Sequence, residues 1–137
     1  MVVRGGPDAE LRFGPDPREV RRARALAEGL TPCRVSDERR ADLLVVVSEL
    51  VTNAIRHTRS GGVVRLWLDD HSVRVEVDDS APRLSPASTT VDQHGGRGLA
   101  LVARLSTTWG VDLNATGKTV WAVCPLDTGA DPGGAAR

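Results

Sequence analysis

The chain is poor in several residue types, and each shortage removes a class of protein. Two cysteines, Cys33 and Cys124, share no CxxC spacing and have no histidine cluster beside them, so a disulfide framework and a zinc ribbon are both disfavoured. They read as ordinary reduced cysteines. Aromatics are confined to Phe13, Trp67, Trp109 and Trp121. No apolar run approaches the roughly 20 residues needed to span a membrane. The opening MVVRGGPDAE turns polar and proline-bearing after three residues, unlike a secretory signal, and leads us to expect a cytoplasmic protein. Net charge is also missing: 18 basic residues balance 18 acidic ones, which gives no prior for nucleic acid. Of the basic residues, 17 are arginine. What remains is 137 residues with 40% hydrophobic content, enough for one domain with a real core.

The pattern along the chain predicts eight elements. Residues 1–9 read as a loose arm, and Leu11-Arg12-Phe13 as a short edge strand ending at Gly14-Pro15. Asp16 is placed to cap a helix opened by Pro17, with Glu19 in its first turn and a stripe of Val20, Ala23, Ala27 and Leu30. Gly29 and Pro32 stop it. Ser36 caps a second helix whose stretch from Ala41 to Ile55 is so apolar that most of its surface must be buried. Two alternating segments, 63–68 and 72–78, predict a hairpin turning over Asp69-Asp70-His71. Residues 80–95 read as a long loop, of a length more often functional than incidental. A helix over 99–106 and a hairpin of 108–114 with 118–124 complete the domain, and 127–137 reads as a disordered tail. Strands in adjacent pairs with tight turns predict an α/β two-layer sandwich: a mixed, mostly antiparallel sheet with helices on one face.

Three segments carry chemistry. Glu49, Asn53 and His57 stand four residues apart and therefore share one side of the second helix. A solvent face would explain that spacing, yet LVVVSELVTNAI is an unusual place for a carboxylate and an amide unless a partner or cation awaits them. Their oxygens are hard ligands suited to Mg²⁺, which takes few protein groups alongside substrate phosphates. His57 equally suits a helix C-terminus. Next, the buried strand Val73, Val75, Val77 runs into Asp78-Asp79, either plain turn residues or a carboxylate that fixes a ligand's orientation. Finally, Gly95-Gly96-Arg97-Gly98-Leu99 precedes a helix, where backbone N–H groups can hold phosphate; a simple loop has the same appearance. No Walker run and no dinucleotide fingerprint are present.

Taken together and in this order, ELVTNAIRH (49–57), VEVDDSAP (75–82), GGRGLALV (95–102) and GKTVWAV (117–123) resemble the N box, two glycine boxes and closing strands of the GHKL ATPase superfamily. Within it, the wording is most similar to the actinobacterial anti-sigma-factor serine/threonine kinases. The resemblance covers about residues 11–126 and implies the histidine-kinase-like ATPase fold with ATP and Mg²⁺ as ligands. It implies that Asn53 ligates Mg²⁺, that Glu49 is the catalytic base near the γ-phosphate and that His57 lines the phosphate side. It further implies that Asp79 reads the adenine amino group and that Gly96 and Gly98, with Arg97 and Leu99 beside them, line the phosphates. Thr119, inward on the last strand, would support the adenine end. Two departures stand out. Ala81 and Pro82 replace the glycines that continue the first box, and His94 stands where kinase-competent members often carry an arginine, with Arg97 close by but offset. The implied partners are a sigma factor and a small antagonist with a phosphorylatable serine or threonine, with a second copy of this chain as a further partner and neither nucleic acid nor membrane. The arginines at 18, 21, 22 and 24 are the candidate partner surface, or else a solvated helix face.

Overall fold

A computed structural model describes residues 5–57, 60–79, 96–115 and 117–127. Five strands and three helices follow in the order β1 (Ala9–Phe13), α1 (Glu19–Leu30), α2 (Asp37–His57), β2 (Gly62–Leu68), β3 (Ser72–Asp79), α3 (Gly96–Leu105), β4 (Thr108–Asn114) and β5 (Gly117–Pro125). The sheet order is β1-β2-β3-β5-β4, and every pairing is antiparallel. The mixed sheet expected from the sequence is thus corrected: among the described strands none runs parallel to its neighbour.

Alternation on each strand decides the faces. The register sets Val64 against Val77, Leu66 against Val75 and Leu68 against Val73, and this row joins Val120, Ala122 and Cys124 in the core beneath the helices. The opposite face carries Arg65, Arg74, Glu76, Asp78 and Thr119. There the Arg74 guanidinium sits 4.5 Å from the centroid of the Trp121 ring, a cation–π contact. Trp121 also fixes Gly110, because a Cβ at 110 would come within 2.7 Å of the indole.

Between Leu43 and Ala54 helix α2 is mostly apolar, and three neighbours cover it: α1, α3 and the sheet. Leu43, Val46, Val47, Leu50, Val51 and Ala54 are all buried. Ser36 caps it as expected, its Oγ accepting the Arg39 N–H at 3.2 Å. Asp16 acts one turn ahead of α1, its carboxylate accepting the Arg18 N–H at 2.8 Å, so that helix opens at Glu19 instead of Pro17. On α3, Leu99 and Val102 are buried and Ala103 is exposed.

Both ends of the described chain are tied down more than the sequence suggests. Residues 5–8 are held against β2: Gly5 O accepts the Trp67 indole N–H at 2.9 Å, and Asp8 accepts the Leu68 N–H at 2.8 Å. At the other end, Asp127 reaches the start of α2. The Ser36 hydroxyl, and then Arg39, hold its carboxyl below the usual range. Among the described residues no helix is long and apolar enough to cross a membrane.

Candidate functional site

The row Glu49, Asn53 and His57 lies on the last three turns of α2. Glu49 and His57 are half-buried, whereas Asn53 is only 6% exposed, which rules out a solvent face for the amide. Its Nδ2 is buried and, among the described residues, finds no hydrogen-bond partner. Leaving such a group unsatisfied costs about 1–3 kcal/mol, so folded proteins rarely do it without a ligand in view. Glu49, one turn earlier, makes no hydrogen bond or ion pair among the described residues. An amide and a carboxylate at this spacing fit a magnesium–phosphate group: the amide offers an oxygen to a hard cation or N–H to a phosphate oxygen, and the carboxylate can take a proton.

The end of the sheet lies close to this helix end in the chain. After His57 the chain needs only a few residues to reach Gly62, which pairs with Asp79 at the end of β3. Gly61 makes the bend with φ +78, and a Cβ there would collide with the Phe13 carbonyl oxygen. Alternation then sends the two adjacent aspartates to opposite faces. Asp79 follows Val73, Val75 and Val77 to the helix side, where Lys118 Nζ stands 2.8 Å from its Oδ2 and both side chains are at most 5% exposed. Asp78 points the other way, accepting the Thr119 hydroxyl at 2.6 Å and pairing with Arg65. The Asp78 carboxylate raises the Arg65 guanidinium above its ordinary value.

Thr119 was expected to face inward and is corrected by the same rule. Val120, Ala122 and Cys124 are its buried neighbours on β5, so 119 must face away from the helices. Sequence reasoning overlooked Lys118, although two signals pointed to it. It is the chain's single lysine, and it shares the parity of Val120 and Ala122. A cavity of about 320 Å³ wraps this strand end, with Arg12, Arg65, Asp78, Asp79, Asn114 and Lys118 in its wall. It takes in neither Glu49 nor Asn53, and so is not the place where those two groups would meet a phosphate.

The glycine segment also moves. Gly96, Arg97 and Gly98 form the first turn of α3 instead of preceding it, so their backbone N–H groups have no acceptor within the helix itself. Leu99 is 6% exposed and its side chain packs in the core, so only its backbone could face a phosphate. Ala81 and His94, together with the long loop, lie outside the described residues.

Residues 13–124 match the histidine kinase-like ATPase domain family. Among solved structures, the histidine kinase domain of the blue-light activated histidine kinase from Erythrobacter litoralis EL346 is similar, with a TM-score of 0.51 at 21% identity. The likeness covers 89% of this chain and 70% of that one, and at such identity it bears on the fold alone. No curated protein matches the sequence. The antiparallel sheet under three helices and a family match over most of the chain agree, and this chain belongs to the histidine kinase-like ATPase domain family, whose fold binds ATP.

Proposed function

We propose that the protein is an ATP-dependent regulator: an anti-sigma factor that phosphorylates a serine or threonine of its antagonist protein. The observation that carries the nucleotide part is the buried Nδ2 of Asn53, without a partner among the described residues, one helical turn beyond Glu49. Mg²⁺, held by Asn53, would supply charge neutralisation for the phosphates. Asp79 would accept the adenine amino group, and the first turn of α3 would offer N–H groups to the phosphates. In the transfer, the substrate hydroxyl oxygen bonds to the γ-phosphorus as the bond to the departing ADP oxygen breaks, and Glu49 takes the hydroxyl proton. The choice of an anti-sigma factor rests on the wording of the four motifs.

A second reading has one specific point in its favour. His94 stands where an arginine is expected, and an imidazole lacks the planar, permanently charged fork that a guanidinium gives a transferring phosphoryl group. On that reading ATP binding switches the protein between partners without transfer. Incubation with γ-labelled ATP, Mg²⁺ and the antagonist separates the two. The kinase predicts label on the antagonist, lost in Glu49→Ala while calorimetric ATP binding persists. An antagonist that binds but stays unlabelled leaves the switch.

A further inference from the structure

The chain's single lysine is buried at 5% exposure beside a carboxylate at 2%. Stability does not account for this placement, since a buried ion pair gains little over a well-packed apolar pair. The pair is built by register: β3 and β5 set Asp79 opposite Lys118, so both side chains leave the sheet together on the helix side. An ammonium group has three N–H donors, and one of them is used on Asp79 Oδ2 at 2.8 Å. Among the described residues no second acceptor meets Lys118.

We infer that Lys118 is a specificity-determining residue that donates to the ring nitrogen N1 of adenine, beside the amino group accepted by Asp79. This rests on the ATP reading above. The chemistry of the base edges gives the argument. Adenine presents a donor, its amino group, next to an acceptor, N1. The pair Asp79–Lys118 presents an acceptor next to a donor, the complement of that order. Guanine reverses both atoms, with an acceptor O6 and a donor N1–H. In the same pose Asp79 would face O6 and Lys118 would face a hydrogen, so guanine meets two like-with-like contacts in a buried site. Discrimination of this kind comes as much from repulsion of the wrong base as from attraction of the right one. Asp79 alone would read one atom; the pair reads two.

The test is a cycle between one side chain and one ligand atom. Calorimetric affinities are measured for ATP, GTP and 1-deaza-ATP, in which N1 is replaced by C–H, on the wild-type protein and on Lys118→Met. The expected result is a loss of about tenfold or more from ATP to 1-deaza-ATP in the wild type. Lys118→Met should bind those two alike and discriminate less against GTP. An equal ATP to 1-deaza-ATP ratio in both proteins overturns the inference and leaves Lys118 a mere counter-ion. Should Lys118→Met fail to fold, wild-type protein labelled with ¹³C at the lysine ε-carbon carries one lysine signal. Saturating ATP should shift that signal, and 1-deaza-ATP should shift it far less; identical responses overturn the inference. Absence of binding by any nucleotide refutes the ATP reading itself, and the inference falls with it.

Discussion

At the residue scale, the site carries a cost that the free protein can be made to reveal. Asn53 Nδ2, buried and without a partner among the described residues, destabilises the protein as long as no ligand meets it. Asn53→Leu should therefore raise its unfolding free energy by about 1 kcal/mol in urea titrations, while removing the Mg²⁺ dependence of ATP binding. A loss of stability instead would mean that the amide is satisfied. The two cysteines make a second contrast. Burial, with a smaller contribution from Asp42, pushes the Cys124 thiol up to about 12, whereas Cys33 is exposed. Iodoacetamide at pH 8 should alkylate Cys33 and spare Cys124 until denaturant is added, because the thiolate is the reacting form. Strand parity carries more here than the resemblance does. Val73, Val75 and Val77 put Asp79, and not Asp78, on the helix side, although the sequence reading of Asp79 rests on its likeness to the family's motif. The same rule, applied to Val120 and Ala122, would have turned Thr119 outward, but its role came from resemblance and not from its place on the strand. Lys118 went unread because a lone lysine ordinarily belongs to a solvated surface.

At the scale of elements, the long helix was the most legible feature, since its apolar stretch can only be satisfied by burial on several sides. Its tethers were not legible, because they come from distant parts of the chain. Asp127 is 88 residues from the Arg39 it pairs with, a separation no local pattern reports. The hydroxyl of Ser36 and then Arg39 lower its carboxyl, so its contribution to stability is present above the ordinary carboxylate value and is lost as pH falls through the lowered native one. Asp127→Asn should be less stable than wild type near pH 7, and the difference should shrink below about pH 3.9, as acid titration of unfolding can show. The bend between α2 and β2 is a stricter requirement. Gly61→Ala places a methyl group against the Phe13 carbonyl in a left-handed backbone and should cost on the order of 2 kcal/mol or more in urea unfolding. Failure to see that loss would mean that the β1 end shifts aside freely.

For the whole molecule, a ligand bound only by the folded state stabilises it in proportion to its occupancy. At one hundred times its dissociation constant, Mg²⁺-ATP should add about 2.7 kcal/mol and raise the melting temperature by roughly 4 °C or more. A calorimetric scan that shows no shift with millimolar ATP would contradict the nucleotide site. The layered architecture was readable from paired strands and helix periodicity. The strictly antiparallel sheet and the order β1-β2-β3-β5-β4 were not, because pairing between distant strands leaves no local trace.

That strand order has a consequence for synthesis. The last strand in sequence, β5, does not close the sheet at its edge; it enters between β3 and β4 and pairs on both sides. On a ribosome, the backbone edge of β3 that pairs with β5 therefore stays open until residues 117–125 have been made. The β4–β5 hairpin can form locally and then dock as a unit. Asp79 is likewise exposed to the nascent chain's surroundings for the whole interval, with no ammonium beside it. On the proposed ATP reading, the site around Asp79 is completed only when β5 has joined β3, so ATP binding would report a domain assembled through its last described strand.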